Sequence, residues 1–184
     1  MGTLRPPIPA KLFVGMITNE EALFAACTQQ LAVRYGPADL QSAALPWDHS
    51  DYYRTEMGTG LLRVFVFFER LIDPGALADI KRSTVLMEQG LSRPGTSGAH
   101  RRMNLDPGYL TEAKVVLATT KDFPHRIYVG NSVYAESTLH YAKHLRSFQA
   151  VGHTYPDFRS DTSLELFNRA RDLLRKALAQ QEGR

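Results

Sequence analysis

Two short stretches along the chain are hydrophobic at successive positions, and both have the length of a β-strand. Lys11–Ile17 carries apolar residues on both faces, which is typical of a central strand in a sheet that is covered on both sides. Leu61–Glu69 contains the longest apolar run, Val64–Phe68, and also predicts a strand. A further strand is indicated weakly around Asp39–Leu45.

Helical periodicity with suitable end residues predicts three long helices. The first begins after Asn19, an N-cap residue followed by two acids, and ends near Tyr35, before Gly36 and Pro37. The second begins at Asp73-Pro74, and its buried stripe is predicted to be Leu77, Ile80, Thr84, Met87 and Leu91. The third runs from Asp161 or Thr162 to about Gln180, with Thr162–Glu165 matching a capping box.

The segment between the second and third helices mixes shorter signals. Arg101–Leu105 predicts a short strand, Asp106-Pro-Gly108 a turn, and the stretch from Tyr109 or Thr111 to Thr120 a helix. Arg126–Val129 and Ser132–Tyr141 flank Gly130-Asn131, a pattern that predicts a β-hairpin.

The order of elements through Leu105 is β-α-β-β-α-β, the ferredoxin-like pattern. We therefore predict an α+β fold with a mostly antiparallel sheet, extended by the hairpin and the C-terminal helix. The 184 residues are expected to form one domain, in which residues 1–10 are an extended lead-in and residues 91–100 a flexible internal loop.

Composition excludes several classes of protein. The formal net charge of +3 is too small to indicate nucleic-acid binding, and a single cysteine, Cys27, excludes both an intramolecular disulfide and a multi-thiolate zinc site. The N-terminus lacks the apolar core of a signal peptide, and no apolar run approaches the roughly 20 residues that cross a bilayer. We expect a cytoplasmic protein without a membrane partner.

The predicted hairpin places an acid opposite a base. If Gly130 and Asn131 are the two turn residues, His125 faces Glu136; if the loop is one residue longer, Arg126 faces Glu136. A carboxylate beside an imidazole can orient a general base, and the same arrangement also serves as a structural ion pair.

Arg102, Asn104 and Asp106 alternate along a predicted strand and would share one face. Such a polar stripe is costly to bury unless its members are paired. It would suit either a solvent-filled cleft or an edge strand that faces water, and the sequence leaves both open.

Common catalytic and binding motifs are absent or incomplete. The chain has neither a phosphate-binding loop nor a dinucleotide-binding glycine motif, and Thr119–Asp122 only partly matches a guanine-reading motif. His140 and His144, and the loop acids near His49, are better interpreted as surface residues than as metal ligands. Basic pairs such as Lys81-Arg82 and Arg101-Arg102 lie among tyrosines that could stack on RNA bases, but no RNA-recognition signature accompanies them.

Several blocks follow one another in a distinctive order: Lys11–Met16, Asp51–Tyr53, Glu56–Leu61, Leu71–Pro74, Asn104–Thr111, Lys114–Asp122, His125–Tyr128 and Thr154–Phe158. Together they resemble one bacterial family, domain of unknown function 4416. The resemblance spans about Lys11 to Phe167 and implies no activity, but its blocks contain many of the polar residues that the pattern had singled out.

These observations lead to three hypotheses. The first is a polar cleft that binds, or binds and turns over, a small phosphate- or carboxylate-bearing ligand, with no metal or cofactor assigned. Its candidate catalytic residues are His125, Glu136 and Asp106, and its candidate ligand-binding residues are Arg102, Asn104, Lys121, Asp122, Arg126, Asp51 and Glu56. The second is a non-catalytic module that binds RNA or a protein, and the third is that the polar residues brace the fold.

Overall fold

Nine strands and five α-helices lie in the described part of the chain, residues 2–49, 53–93 and 100–182 of a computed structural model. The strands are β1 (Ala10–Thr18), β2 (Ala38–Gln41), β3 (Leu45–Pro46), β4 (Leu62–Ile72), β5 (Asn104–Leu110), β6 (Lys114–Thr119), β7 (Ile127–Gly130), β8 (Val133–Ala142) and β9 (Ser147–Ala150). The helices are α1 (Ala22–Tyr35), α2 (Arg54–Met57), α3 (Leu77–Leu91), α4 (Pro156–Arg159) and α5 (Asp161–Glu182).

The strands form a single sheet in the order β2-β4-β1-β5-β6-β8-β7, in which β3 pairs with β4 and β9 pairs with β8. Every observed pairing is antiparallel. The prediction of an α+β fold with a mostly antiparallel sheet is therefore confirmed.

Helices cover both faces of this sheet. On one face, Leu12, Val14 and Met16 of β1 pack in a core cluster with residues of α1 and α3. On the other face, Phe13 packs with the rings of α4 and α5, including Phe167, whose ring centroid lies 5.1 Å away. This double cover explains why β1 is buried at every position and why its sequence is apolar on both faces.

The predicted strands at Lys11–Ile17 and Leu61–Glu69 and the three long helices are confirmed, but two predicted caps are wrong. The Asn19 amide donates to the carbonyl of Met57 instead of capping α1. The hydroxyl of Ser160, and not that of Thr162, accepts the hydrogen bond from the Ser163 N–H at the start of α5. Asp73 does accept from the Gly75 N–H, ahead of α3.

The prediction between Asp106 and Thr120 is wrong. Asp106-Pro-Gly108 is not a turn but the middle of β5, and the predicted helix is replaced by β6 and the short turn before it. Gly108 is required there because a Cβ at this position would lie 2.4 Å from both the Phe13 ring and the Val116 carbonyl oxygen. The Thr111 hydroxyl accepts from the N–H groups of the turn, at Ala113 and Lys114.

The hairpin of β7 and β8 is confirmed, but its turn is shifted by one residue. Asn131 and Ser132 are the turn residues, with φ angles of 54° and 59°, as a type I′ turn requires. Ile127 pairs with Ala135, and this register, carried one residue further, places Arg126 opposite Glu136.

Two predictions fall largely or wholly outside the described residues. Most of the predicted flexible loop, residues 94–99, is not described, and neither is Asp51. In the described part of the chain, no helix is long and apolar enough to span a membrane.

Candidate functional site

Strands β5 and β6 pair along only part of their length. Their pairing covers Gly108–Leu110 of β5 and Val115–Leu117 of β6, whereas β1 pairs with β5 from Asn104 to Leu110. Residues 104–107 of β5 thus have no β6 partner in the described structure, and the sheet opens at this point. We call this opening between β5 and β6 the fork.

Side chains of α3 replace the missing strand at the fork. The Lys81 ammonium donates to the Leu105 carbonyl at 2.8 Å, and Glu88 Oε1 accepts from the Leu105 N–H at 2.7 Å. Lys81 and Glu88 lie two turns apart on one face of the helix and are both buried. Pro107, two residues further along β5, has no N–H that would need a partner on this side.

The fork opens into a cavity of about 490 Å³, which we call the fork cavity. Its wall carries four cationic side chains, those of Lys81, Arg101, Lys121 and Arg126. Three carboxyl groups also belong to the wall, those of Glu88, Asp106 and Asp157. Four aromatic side chains form much of the remaining wall, those of Trp47, Tyr53, Phe123 and Tyr155.

Asp106 is the most heavily paired carboxylate on this wall. It accepts from Lys81 Nζ at 3.2 Å and from Asn104 Nδ2 at 2.6 Å, and Arg63 Nη1 lies 3.8 Å away. Burial pushes the pKa of Asp106 upward, but attraction to Lys81 and Arg63 outweighs burial and leaves that pKa below its ordinary value. Asp106 is therefore a permanent anion at neutral pH.

Arg63 of β4 connects the fork to the α4 layer. Its Nε and Nη2 atoms donate to Asp157 Oδ2 at 2.7 and 2.6 Å. The guanidinium lies across β1 above Gly15, where a Cβ would approach Nη1 to 2.6 Å. Although Nη1 is buried, it has no hydrogen-bond partner in the described structure.

Two groups on the wall have raised pKa values. Burial raises the pKa of Glu88 to about 7, against the opposing effects of Lys81 and the Leu105 N–H. Burial, together with the negative charge of Asp106, also raises the pKa of the Tyr53 hydroxyl. Carboxyl groups with a pKa near neutrality are enriched at functional sites.

Behind Arg126 lies a second set of charged residues, Glu136 and His125. The guanidinium donates to Glu136 Oε2 at 2.7 Å, to the Lys121 carbonyl at 3.0 Å and to the Tyr155 hydroxyl at 2.8 Å. Its Cζ atom also lies 4.4 Å from the centre of the Phe123 ring. Arg126 is thus held rigidly at the edge of the cavity.

His125 contacts the same carboxylate from the outer side. Its Nε2 lies 3.2 Å from Glu136 Oε2, and its ring stacks on His153 with centroids 4.3 Å apart. Neither His125 nor Glu136 belongs to the cavity wall. Both therefore lie behind Arg126 rather than facing the cavity space.

The structure brings together some of the residues that the sequence singled out and separates others. Those on the cavity wall are Asn104, Asp106, Lys121 and Arg126. Glu56 lies 3.3 Å from Arg101 and reaches the wall only through it. Arg102 turns away to an ion pair with Glu20, and Asp122 hydrogen-bonds Tyr134.

The wall also contains residues that the sequence analysis did not assign to a site. Among them are Tyr53, Lys81, Glu88, Arg101 and Asp157, with Arg63 behind them. The polar spacing of Lys81 and Glu88 beside the predicted apolar stripe of α3 is the one signal that could have identified two of them. No group of three or more His, Cys, Asp or Glu residues in the described ranges is placed to hold a metal ion.

Comparison with known proteins gives one match. The model of a family described as domain of unknown function (DUF4416) matches residues 8–173. No curated protein and no solved structure shows significant similarity to this chain. The family description names no activity, so the chemistry of the fork cavity is indicated only by the residues of its wall.

Proposed function

The chain belongs to the DUF4416 family, and from the site itself we propose that the fork cavity binds a small organic ligand that carries a phosphate or carboxylate group. The observation that carries this proposal is the set of four cationic side chains on the wall of a single cavity. Guanidinium and ammonium groups are the usual partners of phosphate and carboxylate oxygens. The volume of about 490 Å³ falls within the range of roughly 300–1,000 Å³ that is usual for small-molecule sites.

The charge balance of the wall limits the ligand further. Lys81 contacts Asp106, Arg101 contacts Glu56, and Arg126 contacts Glu136, so much of the positive charge is already compensated. A ligand with several phosphates would therefore find little excess charge to neutralise it. A single anionic group attached to an apolar or aromatic body fits better, because Trp47 and Tyr53 supply an aromatic wall with centroids 5.3 Å apart.

The topology of the first half of the chain supports the ferredoxin-like interpretation as part of this proposal. Read from β5, the strand order is β5-β1-β4-β2 with antiparallel neighbours, and α1 and α3 pack on the same face. In this interpretation, the fork forms where the last strand of the ferredoxin-like unit meets the β6–β9 extension.

The proposal is tested by ligand-induced stabilisation. A panel of monophosphate and monocarboxylate compounds, with and without an aromatic ring, is screened by thermal shift, and hits are quantified by calorimetry. For a true hit, Lys121→Gln should weaken binding by at least about tenfold, the equivalent of one lost charged hydrogen bond. Lys114→Gln, an exposed lysine on the same strand-and-loop segment, is the matched control and should leave affinity unchanged.

Equal affinity in the Lys121→Gln and Lys114→Gln variants would contradict binding in the fork cavity.

The alternative of an RNA-binding surface rests on Tyr128, which is exposed on β7 beside Tyr134 with centroids 5.4 Å apart. Retention of RNA that falls steeply with salt and is lost in Tyr128→Ala would favour that alternative.

A further inference from the structure

Glu88 is a buried carboxyl group on the cavity wall for which anion binding provides no role. Its side chain comes from α3, and the residue is only 7% exposed. Oε1 is fixed by the Leu105 N–H at 2.7 Å. Oε2 accepts no hydrogen bond from any described residue, so this oxygen is available to a ligand in the cavity.

The groups around Glu88 come from several elements. Lys81 of the same helix and Arg101 favour its anionic form, whereas Asp106 of β5 opposes it, and the Tyr53 hydroxyl also lies within electrostatic range. Burial outweighs the two cations and raises the pKa of Glu88 to about 7, while Asp106, with Lys81 and Arg63 close by, stays ionised. Two carboxyl groups in one cavity that differ in protonation are the arrangement by which enzymes separate a proton donor from a fixed charge.

We propose that Glu88 is the proton donor of the fork cavity, acting on a ligand that has an anionic group at one end and a proton-accepting oxygen or nitrogen atom at the other. This inference rests on the proposed function for the anionic end of the ligand. The proton-accepting atom belongs to a carbonyl, or to the oxygen or nitrogen of a leaving group, because these atoms gain a proton during the common acid-catalysed reactions.

The proton transfer balances with groups that are present. The Glu88 O–H bond breaks, the proton joins the acceptor atom of the ligand, and the electron pair stays on the carboxylate. The new negative charge forms beside the Leu105 N–H and within the field of Lys81, both of which stabilise it. A hydronium ion or a buffer acid from the solvent then returns a proton to Glu88, which restores the starting state. Here Glu88 takes the role that the sequence suggested for His125 and Glu136.

The test uses a small diazo reagent, diazoacetamide, on the intact protein. A diazo compound esterifies a carboxyl group only when that group is neutral. The carboxyl group first protonates the diazo carbon, and the resulting carboxylate then forms the new C–O bond as N₂ departs. At about pH 7 we expect a single ester, located on Glu88 by peptide mass spectrometry, because an aspartate or glutamate with an ordinary pKa is almost entirely ionised at that pH. The rate should fall about tenfold for each pH unit above roughly pH 8.

Two variants serve as controls. Glu88→Gln keeps an oxygen that can accept from the Leu105 N–H, and it should abolish the ester. Glu112→Gln removes an exposed carboxyl group whose side chain is 51% accessible, and it should leave labelling unchanged. Absence of an ester on Glu88, or esters distributed evenly over exposed carboxyl groups, would overturn the inference.

The two proposals fail separately. If ligands from the panel bind and depend on Lys121 but no ester forms on Glu88, the proton-donor role alone is wrong. If the ester forms on Glu88 but no monophosphate or monocarboxylate binds, anion binding in the fork cavity is wrong, and Glu88 remains a reactive acid of a cavity with a different ligand.

Discussion

Glu88 should make the stability of the protein depend on pH in an unusual direction. Its pKa is about 7 in the folded protein against an ordinary value of 4.5, so the folded state binds the extra proton between these values. The contribution of Glu88 to the free energy of unfolding is therefore complete at and below about pH 4.5, and it is lost as the pH rises through 7. The difference corresponds to about 3 kcal/mol of unfolding free energy, measured by urea denaturation at a series of pH values.

Glu88→Gln should remove this dependence, because the amide resembles the protonated acid at every pH. Near pH 8 the variant is expected to be more stable than the wild type, whereas loss of a purely bracing carboxylate would lower stability. A variant less stable than the wild type at pH 8 would show that Glu88 is needed as an anion.

At the level of single residues, the sequence revealed only the polar side chains that stand out from their surroundings. Asn104, Asp106, Lys121 and Arg126 interrupt or flank strands, so their polarity was visible. Lys81 and Glu88 gave only one signal, their seven-residue spacing beside the apolar stripe of α3, because a lysine and a glutamate on a helix are normally assigned to its solvated face. Their burial arises from the fork, which depends on strands far away in sequence.

The β7–β8 hairpin allows a test at the level of one element. Ser132 has a φ of 59°, in the left-handed region, where a residue with a Cβ is strained by roughly 1–2 kcal/mol. Ser132→Gly places a glycine directly after Asn131, the order of residues that type I′ turns favour. It should stabilise the protein by about 0.5–1 kcal/mol after the greater backbone entropy of glycine is allowed for. Thermal and urea unfolding measure the change.

Ser132→Ala is the matched comparison, because alanine keeps the Cβ. It should be no more stable than the wild type. If the glycine and alanine variants are equally stable, the left-handed conformation of this residue does not limit the stability of the hairpin.

Elements with strong local signals were predicted correctly, and the wrong prediction of a turn at Asp106-Pro-Gly108 has a definite physical cause. Asp106-Pro-Gly108 has the local chemistry of a turn, but pairing with β1 along the whole of β5 keeps it extended. Gly108 serves close packing against Phe13, and Pro107 occupies a stretch without a neighbouring strand. Local propensity was overridden by a tertiary contact, the pairing of β5 with β1, which no local pattern contains.

At the level of the whole molecule, the fork is where the layers are joined. Lys81 reaches it from the α3 side of the sheet, and Arg63 carries the connection across the sheet to Asp157 in the α4 layer. Asp106 lies between them and contacts both cations. The same ion pairs that shape the cavity therefore also connect the two helical layers to the sheet, so bracing of the fold and the proposed ligand binding would depend on one network.

Removing Asp157 should test this network. Asp157→Ala leaves the buried Arg63 guanidinium without its main partner, and breaking a buried pair in this way is expected to cost about 3–5 kcal/mol of unfolding free energy. The double variant Arg63→Met with Asp157→Leu should recover much of that loss, because it removes the stranded charge and fills the space with apolar atoms. Glu112→Ala breaks the exposed pair with Arg171 and should cost less than about 1 kcal/mol. Urea unfolding of the wild type and these three variants measures the differences. If Asp157→Ala costs no more than Glu112→Ala, the α4 layer is held by its apolar contacts alone, and the Arg63–Asp157 pair has no structural role.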